Sequence, residues 1–260
     1  MQASCPPLTS EYFDAVLFDL DGVLTDTAKL HADCWKRMFD EFLRRRSAKR
    51  GEPFTPFDAD ADYKAYVDGK PRYEGVRSFL EARLMELPYG HPDDPSARET
   101  ICGLGNRKNE LIQEVLATEG VELYASSVEL VRYLRQVGIR TAVVSSSRNC
   151  EAVLAAAGIG HLFDARVDGM TAARDGLAGK PAPDTFLAAA RCLGSSPART
   201  AVVEDALSGV QAGRAGGFGL VIGVARHGDG GALRRSGADT VVADLEELLP
   251  PRGKRETTER

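Results

Sequence analysis

From about residue 121 onward, two patterns of apolar positions alternate along the chain. Residues 127–137 carry apolar side chains at helical spacing until Gly138 stops the run, and residues 139–144 then predict a buried strand. The alternation continues with a helix over 150–157 ended by Gly158, and a helix over 184–193 capped by Asp184 and closed by Gly194. A strand over 200–203, a helix over 207–215 and a strand over 220–224 follow, before a last pair over 240–242 and 245–249. With 15–20 as the first strand, the pattern predicts an α/β fold whose core is a Rossmann-like, doubly wound, mostly parallel sheet.

Residues 27–119 break this rhythm. They lack β-branched runs and are rich in helix formers, as in 28–42 and 107–118, which predicts a helical subdomain inserted after the first strand. Its hinges are expected near Thr25-Asp26-Thr27 and Glu119-Gly120. The expected division is a core of 11–26 and 120–249, a helical insert of 27–119, and flexible termini of 1–10 and 250–260. Within the insert, residues 87–96 contain three prolines and read as a surface loop.

Composition narrows the picture by exclusion. A net charge of −5 over 260 residues offers no field for nucleic acid. The basic run Arg44-Arg45-Arg46-Ser47-Ala48-Lys49-Arg50 therefore reads as a solvated helix end. Cys5, Cys34, Cys102, Cys150 and Cys192 are scattered without metal-ligand spacing, the usage expected of reduced thiols in the cytoplasm. No stretch has the make-up of a signal peptide or the length of a membrane span.

The chemistry gathers at the carboxyl ends of the predicted strands, where open parallel sheets bind their ligands. The first strand runs into Phe18-Asp19-Leu20-Asp21-Gly22, delivering two carboxylates two residues apart before a glycine turn. The strand at 139–144 delivers Ser145-Ser146-Ser147-Arg148-Asn149 at a helix start, which suits a phosphate. Gly179-Lys180-Pro181-Ala182-Pro183-Asp184 places a lysine just ahead of a helix, and the strand at 200–203 ends in Glu204-Asp205. Each piece alone has a bland reading as cap, turn or surface charge. Together they supply acid pair, hydroxyl, cation and acid pair, and a hard divalent cation with a phosphate accounts for that set.

In this order the four pieces resemble the haloacid dehalogenase-like hydrolase superfamily. The resemblance implies that Asp19 is a nucleophile forming an aspartyl-phosphate and that Asp21 is the general acid/base. It also implies that Ser145, Ser146 and Lys180 hold the phosphoryl group, with Mg²⁺ on Asp19, the backbone carbonyl of Asp21, Glu204 and Asp205. An acid at Asp21 favours phosphate esters over the superfamily's dehalogenases and phosphonate-cleaving members. The insert is similar to the cap of the β-phosphoglucomutase-like family, with His31 and Trp35 on its first helix. Val67-Asp68-Gly69-Lys70-Pro71-Arg72-Tyr73-Glu74-Gly75-Val76 looks like that family's specificity loop, with Arg72 exposed to grip a distal phosphate. Asn106-Arg107-Lys108-Asn109 resembles the segment that supplies a second cation, Lys108. Thr27, Gly69, Ser147, Arg148 and Asn149 complete the implied substrate contacts. The 87–96 segment is an apparent insertion relative to smaller members.

The implied activity is a phosphomutase acting on a small phosphorylated sugar, interconverting β-D-glucose 1-phosphate and glucose 6-phosphate through a bisphosphate. Two phosphate clamps, one in the core and one in the cap, favour it over the alternative, a sugar-phosphate phosphatase. A catalytically silent binding module is the third reading, and the acid at Asp21 argues against it. A cytoplasmic monomer without nucleic-acid or membrane partners is expected.

Overall fold

In the computed structural model, which describes residues 7–226 and 230–251, the chain divides into two compact units, Thr27–Val121 and the remainder. The remainder is built on β1 (Ala15–Phe18), four consecutive buried residues whose lack of alternation suits a strand covered on both faces. It pairs with β2 (Arg140–Val144) on one side and β4 (Thr200–Glu204) on the other. With β3 (Ala165–Val167), β5 (Leu220–Val224) and β6 (Thr240–Val242) the order is β3-β2-β1-β4-β5-β6, and every pairing is parallel. This is the Rossmann order, whose direction of winding reverses beside β1 and opens a crevice at the strand ends.

Helices α4 (Ala125–Gln136), α5 (Cys150–Ala156), α7 (Asp184–Cys192) and α8 (Leu207–Ala215) connect these strands. Phe186 and Ala189 of α7, Val210 and Ala212 of α8, and the inward residues of β1, β2 and β4 form one apolar cluster. Two helices and one strand have no counterpart in the predicted pattern. Strand β3 is three residues long with a charged Arg166 at its centre, so no run marks it. Helix α6 (Gly169–Asp175) has no buried side chain and is set by its cap, since Asp168 accepts from Met170 N at 3.0 Å and Thr171 N at 2.9 Å. Helix α9 (Gly230–Arg235) is six residues long. Asp184 opens α7 as a first-turn acid, and Pro183, not Asp184, occupies the cap position.

The helical unit holds α1 (Ala28–Arg50), α2 (Arg72–Ala82) and α3 (Ile101–Glu119). Helix α1 runs a further eight residues past the predicted stretch. The basic run thus forms its exposed final turns, where Lys49 and Arg50 complement the helix dipole before Gly51 ends it at φ 65°. Trp35, Phe39, Phe57 and Phe79 are fully or almost fully buried and stack on one another, with ring centroids 4.2–5.4 Å apart. Such pairs add about 0.5–1.5 kcal/mol each beyond the area they bury, so this unit has a core of its own. Residues 87–96 lie outside helices and strands and are mostly exposed, although Asp94 is buried.

The two chain crossings are joined within the larger unit. Thr25 bridges Leu123 in antiparallel fashion, and Asp26 N donates to Glu122 O at 2.9 Å. Most of the expected flexible termini, and Cys5, lie outside the described residues. Leu8, however, is buried, and Arg199 donates to the carbonyls of Ser10 and Glu11, so the chain is packed before residue 11.

Candidate active site

Register places the first acid. Phe18 of β1 is level with Val203 of β4, so Asp19 stands beside Glu204, and Asp19 N donates to Val203 O at 3.0 Å. Carboxylate oxygens of Asp19, Glu204 and Asp205 lie within 4.8 Å of one another. Lys180, itself buried, donates to Asp19 Oδ1, to Glu204 Oε1 and, at 3.3 Å, to Val144 O. One ammonium with three donors thus ties the ends of β1, β2 and β4 together. Burial raises the Asp19 carboxyl well above its ordinary value, and the neighbouring Glu204 and Asp21 push the same way, against the pull of Lys180. Burial alone would lower the Lys180 pKa, but Asp19 and Glu204 outweigh it and keep the ammonium charged.

Two glycines admit these acids. Gly22, at φ 82°, turns the chain after Asp21, and a Cβ there would stand 1.9 Å from Asp205 Oδ2. Gly209, in the first turn of α8, leaves the room that Glu204 fills: a Cβ would stand 1.7 Å from its Oε1. The other oxygen, Oε2, accepts from Ala206 N at 2.9 Å. Gly209 escapes sequence reasoning, and its only signal is a small residue one helical turn beyond the acid pair. Asp21 is half-buried in the turn closed by Gly22 N to Thr25 O at 2.8 Å.

A divalent cation fits this cluster. Three carboxyl groups share one ammonium in a largely buried place, so ionising all of them calls for a further positive charge. The donors are all oxygen, the preference of a hard cation.

Ser145 directly follows β2 and is buried; its Oγ accepts from Ser147 N at 3.1 Å, and Ser147 Oγ accepts from Asn149 N at 3.1 Å. The loop is held from beneath by Gly169, whose N–H donates to Ser147 O and whose Cβ would stand 2.7 Å from Ser146 O. Ser146 is half-buried, and Arg148 is exposed, its Nε 3.0 Å from Met170 Sδ. Cys150, at the start of α5, is a buried free thiol pushed up by burial, so it is inert at neutral pH.

In the helical unit, Lys108 on α3 lies 2.9 Å from His31 Nδ1 on α1 and 5.2 Å from the Trp35 ring centroid. An ammonium has no lone pair, so Nδ1 accepts and a neutral His31 carries its proton on Nε2. Trp35 is both a core residue and a platform for this cation. Thr27 is buried at the start of α1, its carbonyl accepting from His31 N at 2.8 Å. Gly69, at φ 67°, turns the chain ahead of α2. Arg72 corrects the sequence reading: it is the first residue of α2, half-buried and tethered to Tyr73, not a freely exposed loop side chain. The segment around it is helical on both sides, with a π-helical turn at Tyr63–Val67 preceding it. Proline at 71 suits the entry to a helix as well as a loop.

The model of the haloacid dehalogenase-like hydrolase family matches residues 13–217. The chain is 53% identical over 238 residues to the β-phosphoglucomutase of Mycobacterium bovis, covering 90% of this chain and 91% of that protein. Its identity to the β-phosphoglucomutase of Bacillus subtilis is 33% over 234 residues, with the same coverage of both. A crystal structure of β-phosphoglucomutase from Clostridium difficile superposes with a TM-score of 0.71 at 25% identity, covering 91% of this chain and 93% of that one.

Proposed function

The chain belongs to the haloacid dehalogenase-like hydrolase family, in its β-phosphoglucomutase-like branch, and from that premise we propose that it interconverts β-D-glucose 1-phosphate and glucose 6-phosphate. The observation that carries the chemistry is the convergence of Asp19, Glu204, Asp205 and Lys180 at the switch point of the sheet. Likeness to mutases along 90% of the chain, helical unit included, supports the choice of reaction.

In this reading Asp19 is the phosphoryl carrier. The cycle starts with Asp19 phosphorylated, and the C6 hydroxyl of β-glucose 1-phosphate attacks that phosphorus. Asp21 takes the hydroxyl proton, the Asp19–phosphorus bond breaks, and a 1,6-bisphosphate forms. The sugar is turned, Asp19 attacks the C1 phosphoryl group, and Asp21 returns the proton to the departing O1. Glucose 6-phosphate leaves and Asp19 is phosphorylated again. Asp19, Glu204, Asp205 and the backbone carbonyl of Asp21 would hold Mg²⁺, which supplies charge compensation for the phosphoryl oxygens. Ser145, Ser146 and Lys180 orient the transferring group.

The acceptor is decided by the second cation set. Arg72 and Lys108 bind the phosphate that stays on the sugar, with Thr27, His31, Trp35, Gly69, Ser147, Arg148 and Asn149 as further substrate contacts. Residues 27–119 act as a cap. Without the second clamp, water competes for the aspartyl-phosphate and the enzyme becomes a sugar-phosphate phosphatase. A monomer in the cytoplasm completes the reading. The buried free thiols Cys34, Cys102 and Cys150 support that compartment, and among the described residues no helix is long and apolar enough to cross a membrane. Light scattering on the purified chain checks the oligomeric state.

The deciding experiment is incubation with β-glucose 1-phosphate and Mg²⁺ while glucose 6-phosphate and inorganic phosphate are followed together. Glucose 6-phosphate in excess is the expected result. Phosphate in excess moves the assignment to a hydrolase.

A further inference from the structure

A cation that grips a phosphate must be aimed, and the helical unit contains a relay that aims Arg72. Nη2 of Arg72 donates to the Tyr73 hydroxyl at 3.2 Å, and the guanidinium carbon lies 5.0 Å from the centroid of the same ring. That hydroxyl has one proton, for which Asn106 Oδ1 at 2.9 Å is the nearer acceptor and Pro92 O at 3.3 Å the farther, and its lone pairs are left to Arg72. Asn106 in turn donates Nδ2 to the carbonyls of Pro92 at 2.9 Å and Asp94 at 2.8 Å. The Tyr73 ring lies against Gly105 of α3, where a Cβ would stand 2.6 Å from Cδ1 of Tyr73.

The far end of the relay is a built loop. The Asp94 carboxylate accepts from Thr100 Oγ1 at 2.7 Å, Arg98 Nη1 at 2.7 Å and His91 N at 3.1 Å. Thr100 caps α3 by accepting from Gly103 N at 2.9 Å, while Ile101 N and Cys102 N donate to Pro88 O and Tyr89 O, each at 3.0 Å. At the near end, Arg72 Nε is buried and has no hydrogen-bond partner among the described residues. A buried donor left unsatisfied is unfavourable, and an anionic oxygen is the acceptor that relieves it best.

We propose that Tyr73, Asn106 and the loop over 88–100 form a positioning device for Arg72, through which the loop sets which phosphorylated sugars are accepted. The proposal rests on Arg72 being the grip for the sugar's own phosphate. Tyr73 and Asn106 touch no substrate; they are positioning residues that act through the guanidinium. Removing the Tyr73 hydroxyl frees Arg72 to sample other rotamers, so binding weakens while phosphoryl chemistry at the sheet continues.

The test uses Asp19→Asn as parent, which cannot form the aspartyl-phosphate, titrated calorimetrically with glucose 6-phosphate in Mg²⁺. Adding Tyr73→Phe weakens binding roughly tenfold or more, starting from the lower end of the range for one hydrogen bond to a charged group. Asn106→Ala gives the same loss, and the two together are no worse than either. With Arg72→Ala already present, Tyr73→Phe has no further effect, whereas a merely structural role would persist there. In the active chain KM rises and kcat holds within about twofold, as expected for uniform binding. Unchanged affinity, an equal loss without Arg72, or no measurable binding by the parent overturns the proposal. If the active chain releases phosphate instead of glucose 6-phosphate, the mutase reading falls, and the titration still decides the relay.

Discussion

The two units hold their charged groups by different means. At the sheet, position comes from the main chain. Strand register sets Asp19 beside Glu204, a left-handed glycine turns the chain at Gly22, and missing Cβ atoms at Gly22 and Gly209 make room for the carboxylates. In the helical unit, position comes from one side chain leaning on another, Lys108 on His31 and Trp35, Arg72 on Tyr73 and Asn106. Backbone geometry is shared by every sequence that makes the fold, whereas a side-chain relay changes with one substitution. Under the proposed function, chemistry rests on the first and selectivity on the second, an arrangement that lets substrate preference vary without disturbing the reacting groups.

Substitutions that act on only one unit sharpen this contrast. Asp19→Asn removes the carrier while keeping its shape, and kcat for both isomerisation and ester hydrolysis falls by roughly 10⁴-fold or more in a coupled assay. Residual turnover above roughly a hundredth of the parent rate would place the nucleophile elsewhere. Gly209→Ala inserts a methyl group where Glu204 stands, so Mg²⁺ affinity measured by calorimetry drops roughly 10- to 100-fold, as for loss of a ligand's support. Unaltered affinity would mean that Glu204 is not a ligand.

The smallest effect concerns the loop. The hydrogen bond from Thr100, with further bonds from His91 N and Arg98, holds the Asp94 carboxyl below its ordinary value of 3.8 against the opposing effect of burial. Its stabilisation is therefore complete above that value and is lost as pH falls through the lower folded pKa. Melting temperature between pH 5 and 2.5 should fall more steeply for the parent than for Asp94→Asn. Parallel curves would show that the carboxylate does not anchor the loop.

The same contrast explains what the sequence made legible. The sheet could be read because short buried runs and their carboxyl ends lie next to each other in the chain, so Asp19, Ser145, Lys180 and Glu204 announce themselves by following a strand or preceding a helix. Strand β3 and helix α6 could not be read, since three residues around an arginine and a helix with no buried face leave no periodicity. Arg72 was legible as a charge framed by glycine and proline, but not as a helical residue tied to its neighbour. Tyr73 and Asn106 are 33 positions apart, and nothing local to either marks their hydrogen bond. Gly209 matters through an atom it lacks, which no pattern of side chains displays.

The central claim is that the sheet transfers the phosphoryl group while the helical unit decides what receives it. The most direct measurement is the ratio of glucose 6-phosphate to free phosphate formed from β-glucose 1-phosphate by the parent and by Arg72→Ala under identical Mg²⁺. The account predicts a ratio that falls at least about tenfold in the variant, while hydrolysis of a small aryl phosphate stays within a few-fold, as loss of an interaction made only with the sugar requires. An unchanged ratio, or equal loss of both activities, would contradict it.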